Sequence, residues 1–238
     1  MAAGPPDATL LLFDIDGTLL GRASTEHAAA LREALHEVHG LAPDFRAPIA
    51  AAGRTDGEIA RQLLLAAGVA AERIDDRADD VRAATTAAYA RRCPSDLSAH
   101  VLPGIADLLD QLSPRDDVRL SLVTGNFEPV ARLKLARAGI GRFFAAGQGA
   151  FGSDSEDRAA LPPIARRRAG RDGVPFPRAR TIVIGDTPRD IACARADGVR
   201  CVAVSTGPHP ADDLTAADAL AGPGELGGAL VPLLSPAR

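Results

Sequence analysis

The sequence predicts an α/β protein: a doubly wound, Rossmann-like parallel sheet whose first strand is followed by an inserted helical cap domain. Short apolar runs recur at Ala8 to Phe13, Val118 to Thr124, Thr181 to Gly185 and Val199 to Ser205, each with the length and composition of a strand buried on both faces. Helical patterns lie between and beside these runs at Ile105 to Leu112, Val130 to Ala138, Leu161 to Ala169 and Pro188 to Ala196. Strands alternating with helices imply a parallel sheet covered on both sides. Between Leu20 and about His100 the strand signal disappears and only helical periodicity remains.

Each element has a local reason. Asp14-Ile15-Asp16-Gly17-Thr18 stops the first apolar run with turn-forming residues. In the helical stretch, Leu31, Leu35 and Val38 share one face that ends at Gly40. Thr55 to Glu58 has the form of a capping box ahead of Ile59, Leu63 and Ala66. A third helix is expected from Ala71 to Arg92, stopping before Pro94. Gly139 and Gly170 close two of the later helices. After Pro208 the pattern gives one more strand near Ala217 to Leu220 and a final helix. These boundaries assign residues 1–20 and 100–238 to the α/β core and 21–99 to the helical cap.

Composition narrows the function. The chain has 238 residues, 46% hydrophobic and 24% charged, the mixture of a globular protein with a substantial core. Its 27 basic and 31 acidic residues leave a net charge of −4, which provides no positive field to recruit nucleic acid or anionic lipid. No apolar run is long enough to cross a bilayer, and Met1 to Asp7 lacks a signal-peptide pattern, so a cytoplasmic location is expected. Cys93, Cys193 and Cys201 have neither disulfide nor zinc spacing and read as small apolar residues. Lys134 is the sole lysine.

The chemistry concentrates where strands end. Asp14 and Asp16 close the first strand, and Asp186 and Asp190 follow the run Thr181 to Gly185. In a parallel sheet those ends share one edge, so the four carboxylates can converge on a hard divalent cation, for which carboxylate oxygen is the natural ligand. Asp190 fits equally a supporting role there or a helix N-terminal charge. Thr124-Gly125-Asn126 ends another strand, where a hydroxyl, a permissive glycine and a helix start form an anion cradle.

In order and spacing, Asp14-Ile15-Asp16-Gly17-Thr18, Thr124 and Gly185-Asp186-Thr187-Pro188-Arg189-Asp190 resemble the first, second and fourth motifs of the haloacid dehalogenase-like hydrolase superfamily, over nearly the whole chain. The helical insertion resembles that of the phosphoglycolate phosphatase-like and β-phosphoglucomutase-like branch. The resemblance implies a phosphatase that uses Mg²⁺ and an aspartyl-phosphate to hydrolyse a small phosphorylated metabolite. It makes Asp14 the nucleophile and Asp16 the acid and base. It implies that Mg²⁺ is held by Asp14, the Asp16 backbone carbonyl and Asp186. Thr124, Gly125 and Asn126 would bind phosphate.

The third motif departs from the family pattern, which supplies a lysine. The matching stretch begins Asp157-Arg158, and Arg158 is favoured as the phosphate-binding cation, with its bidentate fork. Lys134 is the competing assignment, expected on a solvated helix flank. Arg54, in a loop before a cap helix, is a candidate substrate contact, while His27, His36 and His39 are expected at the surface. The Asp16 carboxyl disfavours a dehalogenase, and the lack of a cap lysine disfavours a phosphonate hydrolase that forms a Schiff base. A sugar-phosphate mutase and, from a different class, a non-catalytic Mg²⁺ and phosphate-binding regulator remain as alternatives. Neither the metabolite nor an oligomeric state is named by the motifs.

Overall fold

A computed structural model describes residues 8–234; the stretch Met1–Asp7 considered above for a leader lies outside them. Six strands form one parallel sheet: β1 (Thr9–Phe13), β2 (Val118–Thr124), β3 (Ala150–Phe151), β4 (Thr181–Gly185), β5 (Arg200–Val204) and β6 (Ala219–Ala221), in the order β3-β2-β1-β4-β5-β6. The two halves diverge from β1, the doubly wound arrangement expected from the alternating pattern.

Register explains why chemistry gathers at one edge. Phe13 pairs with Leu122 on one side and Ile184 on the other. Asp14 is therefore one step past the paired row, while Thr124 and Asp186 are each two steps past it. The Asp14 backbone N–H still donates to the Ile184 carbonyl at 2.9 Å, which fixes this turn to the neighbouring strand.

Alternation along the strands divides the core into two layers. Leu11, Phe13, Leu122, Ile182, Ile184, Val202 and Val204 face one side, with α5 (Ile105–Leu112), α6 (Glu128–Arg137) and α9 (Leu226–Leu234). Leu10, Leu12, Val123, Val183, Cys201 and Ala203 face the other, with α7 (Leu161–Ala169) and α8 (Pro188–Asp197). Among the described residues, no helix is long and apolar enough to cross a membrane.

The chain between β1 and α5 forms α1 (Thr25–His39), α2 (Asp56–Ala66), α3 (Ala71–Asp76) and α4 (Ala78–Arg92). Leu31, Leu35, Ala60, Leu63, Leu64, Ile74 and Val81 give these helices an apolar cluster of their own. A smaller cluster of Ala30, Ala88, Tyr89, Phe127 and Val130 packs α1 and α4 against α6.

Three local expectations change. The single helix from Ala71 to Arg92 is two helices, broken at Arg77. The break places Asp79 and Asp80 in the first turn of α4, where their charge complements the helix dipole. The capping box expected at Thr55 to Glu58 is only half formed, because the Thr55 hydroxyl accepts from the Glu58 N–H while the Glu58 carboxylate pairs with Arg54. A complete box occurs instead at Thr187 and Asp190. The two-residue strand β3 carries too little sequence to signal itself and exists through its pairing with Val123 and Thr124.

Candidate active site

Asp14, the first residue beyond β1, is buried. Burial pushes its carboxyl up to about 6; Arg158 opposes the rise, while Asp190 and Asp16 add to it. Asp186 is pushed further, to about 8, by burial first and then by the charges of Asp14 and Asp190. The Thr18 hydroxyl donates to Asp186 Oδ1 at 3.1 Å and partly offsets this. Gly17 makes the fit possible: its φ is +88°, and a Cβ there would overlap the Asp186 carboxylate.

Oxygens of Asp14, Asp186 and Asp190 lie within 4.8 Å of one another. Three buried carboxylates at that separation repel, and a small hard cation with oxygen preference matches both their charge and their donor set. Asp190 is already committed, since its carboxylate accepts from the Thr187 N–H at 3.0 Å and hydroxyl at 2.7 Å and pairs with Arg158. Asp190 therefore combines the two roles left open for it, capping α8 and holding a site residue. Asp14 and Asp186 are the two carboxylates of the three that could take a small hard cation. The Asp16 side chain is not part of this group.

Arg158 precedes α7 and is buried, with one guanidinium nitrogen shared between Asp190 and, at 3.4 Å, Asp14. Its Nε–H is buried without a hydrogen-bond partner among the described residues. An unpaired buried donor is costly, and an oxyanion is a group that would satisfy it.

Lys134 is not on a solvated flank. It is 0% exposed, and its ammonium donates to both Asp16 oxygens, at 2.8 and 2.7 Å. The expectation failed because Val130, Ala131, Lys134 and Leu135 occupy the same buried face of α6. That spacing was the available signal, together with a lone lysine in an arginine-rich chain. Burial alone would raise Asp16, but Lys134 and a 2.9 Å hydrogen bond from Asn126 help hold its carboxyl below the usual range.

His27 is likewise not a surface residue, at 6% exposure. Its Nδ1 lies 3.2 Å from Lys134 Nζ, and its Nε2 lies 3.0 Å from Asp56 Oδ2. An ammonium only donates, so Nδ1 accepts and Nε2–H donates to Asp56. His36 is exposed, as expected, whereas His39 is half-buried. Asp56, which sequence reasoning missed, also accepts from the Phe127 N–H at 2.7 Å, and its own N–H donates to the Gly125 carbonyl at 2.8 Å. The start of α2 is thereby fastened to the loop after β2. Gly125 permits this approach, because a Cβ would overlap the Arg54 carbonyl.

One cleft of about 620 Å³ collects Asp14, Asp16, His27, Asp56, Gly125, Asn126, Arg158 and Asp186. Thr124 is buried beside it, its hydroxyl accepting from the Asn126 N–H at 3.4 Å. Arg54 also lines the cleft, but its guanidinium is engaged by Glu58 and by the Ala50 carbonyl at 2.8 Å.

A family model described as haloacid dehalogenase-like hydrolase matches residues 11–195. A phosphoglycolate phosphatase of Rhodospirillum rubrum is 34% identical over 204 residues, covering 83% of this chain and 79% of that protein. Among solved structures, β-phosphoglucomutase from Clostridium difficile superposes with a TM-score of 0.62 at 17% identity, covering 92% of each chain. CbbY from Rhodobacter sphaeroides in complex with phosphate gives 0.60 at 21% identity, over 90% of this chain and 93% of that one. At these identities the two structures establish the fold alone.

Two outcomes follow from the geometry. Lys134→Met should lower the free energy of unfolding by about 3 kcal/mol, because it strands Asp16 and leaves His27 without its donor. Denaturant unfolding measures this, and a change below about 0.5 kcal/mol, the range of a surface substitution, would contradict the buried pairing. The second concerns pH. Asp14 and Asp186 have raised values, so between the ordinary carboxylate range and about 8 the folded metal-free protein holds protons that the unfolded chain has released. Stability in EDTA should therefore fall as pH rises through that window. Mg²⁺ should raise the melting temperature most at its upper end, and a Mg²⁺ effect independent of pH would contradict the assignment.

Proposed function

The chain belongs to the haloacid dehalogenase-like hydrolase family, and from that premise we propose that it is a Mg²⁺-dependent phosphatase acting on a small phosphorylated metabolite through an aspartyl-phosphate. The observation that carries this reading is the juxtaposition, at the base of one cleft, of the buried Asp14 carboxyl with a buried guanidinium whose Nε–H lacks a partner. A phosphoryl group seated on the cleft side of this ion pair would present its phosphorus to Asp14, with its oxygens held by the Arg158 guanidinium and the amides of the Gly125 loop.

Asp14 and Asp186, with the Asp16 backbone carbonyl, would hold Mg²⁺. The ion supplies positive charge that offsets the repulsion between a carboxylate nucleophile and a phosphate. In the first step an Asp14 oxygen bonds to phosphorus as the bond to the ester oxygen breaks, and Asp16 gives that oxygen a proton. In the second, Asp16 takes a proton from water as the water attacks phosphorus, releasing phosphate and restoring Asp14. Lys134 and Asn126 hold Asp16 in place but favour its ionised form. Proton donation is thus the demanding half, and esters of acidic alcohols should react fastest.

Arg158 holds phosphoryl oxygens in this scheme, while Lys134 positions Asp16. Residues 21–99 would form a cap that excludes stray water from the aspartyl-phosphate, over a core of residues 1–20 and 100–238.

Phosphate release from p-nitrophenyl phosphate tests the reading. Mg²⁺ should support turnover and excess EDTA should abolish it. Asp14→Asn should form no acid-stable phosphoprotein and show no turnover, and Arg158→Ala should lose on the order of 100-fold in rate. Full activity of Asp14→Asn, or of the wild type in EDTA, would overturn the mechanism.

A further inference from the structure

The cleft changes character along its length. Both helices that wall it have their first turns at the sheet edge. α1 begins just before His27, and α2 begins at Asp56, whose N–H is bonded to the Gly125 carbonyl. The base is polar, with His27 and Asp56 bonded to each other at 3.0 Å.

Further along, the same helical stripes turn apolar. Leu31 stands one turn after His27, about 6 Å along the axis, while Ile59 and Leu63 follow Asp56 by about 4.5 and 10 Å. Both helices thus present aliphatic side chains to the cleft beyond their polar first rung, and Ile49, from the segment between them, joins this wall. Ile49 and Ile59 are half-buried, with surface left to cover.

The cations near this wall stand apart from it: half-buried Arg189 packs against Gly53 beside Arg54 and does not line the cleft. Arg54 is occupied by Glu58 and the Ala50 carbonyl. The other cleft arginines away from the base, Arg22 and Arg32, are solvent-exposed. A carboxylate pressed against the leucine and isoleucine wall would lose its hydration without compensation. An apolar group there would remove both its own surface and the wall's from water.

Resting on the phosphatase reading above, we propose that the substrate is a phosphate monoester whose alcohol carries an uncharged alkyl or aryl group. That group lies along Leu31, Ile49, Ile59 and Leu63 and reaches about 10 Å from the polar base. The site thereby selects against short dianionic esters that carry a second acid.

The test is a series of phenyl, para-methylphenyl, para-ethylphenyl and para-propylphenyl phosphates with Mg²⁺, in which the leaving-group chemistry is nearly constant and only apolar length grows. Wild-type kcat/KM should rise about threefold per added carbon. Phosphoglycolate should fall below propyl phosphate, which likewise has an alkyl leaving group. Ile49→Ser and Ile59→Ser, each compared with its own rate on phenyl phosphate, should flatten the rise, with thermal melts confirming folding. A flat wild-type series, or phosphoglycolate exceeding propyl phosphate, would overturn the substrate class while leaving a phosphatase in place. An unchanged slope in both folded variants would overturn the assigned wall. No phosphate release from any ester would remove the phosphatase reading and this inference together.

Discussion

Crowding of like charge at one sheet edge is the constraint on which the rest of the site depends. Oxygens of three buried carboxylates, Asp14, Asp186 and Asp190, fall within 4.8 Å of one another, and Arg158 is the buried guanidinium bonded among them. Register makes the crowding unavoidable, because β1 and β4 are neighbours and end together. The surroundings then take the forms that tolerate it. Thr18 donates to Asp186, the α8 capping box fixes Asp190, and Gly17, free to take a positive φ without a Cβ, makes room for the Asp186 carboxylate. A negative pocket of this kind disfavours ionised Asp14 until positive charge arrives. The same balance that weakens the metal-free fold at higher pH therefore favours a divalent cation.

Asp16 sits two residues from Asp14 yet belongs to a different electrostatic neighbourhood. Lys134 reaches it from α6, and His27 and Asp56 extend the contact into the helices that follow β1. One carboxyl is pushed up and its near neighbour is pulled down. This separation is the reverse of what a carboxylate nucleophile and a proton donor need. In the proposed reaction a cation beside Asp14 would therefore have to restore its charge, and proton donation by Asp16 is the demanding half. Arg158 and Lys134 accordingly occupy different places: Arg158 faces Asp14, and Lys134 holds Asp16.

The legible and illegible parts of the sequence divide along the same line. Strands buried on both faces announce themselves as uninterrupted apolar runs, so β2 and β4 are found to the residue. Acids at strand ends are equally visible, since parallel order alone places Asp14 and Asp186 together. Charged residues on buried helix faces are harder. Lys134 and His27 look like surface residues because pattern reading assumes that charge faces water, and their partners lie 118 and 29 positions away in the chain. Asp56 was hidden by a different ambiguity, since an acid in the first turn of a helix already has a local explanation in the dipole. Arg158 drew notice through its motif position, although its burial and its pairing with Asp190 could not be read from spacing.

The chain from Asp56 through His27 and Lys134 to Asp16 would also tie the proposed specificity to the proposed chemistry. On each cleft helix the polar rung at the base and the apolar rungs beyond it belong to one rigid element: His27 with Leu31, Asp56 with Ile59 and Leu63. In the proposed reading, a substrate seated on the apolar rungs would bear on the same two helices whose first turns hold Asp56 to the Gly125 loop and His27 to Lys134. A substrate that leaves the wall uncovered would not bear on them. Selection by the distal group would then be expressed in how well Asp16 is held during turnover as well as in how tightly substrate binds, as expected when remote binding energy is used to orient reacting groups. This coupling needs no contact between the apolar group and any reacting atom; it needs only that α1 and α2 begin at the sheet edge and that their first turns are bonded to it.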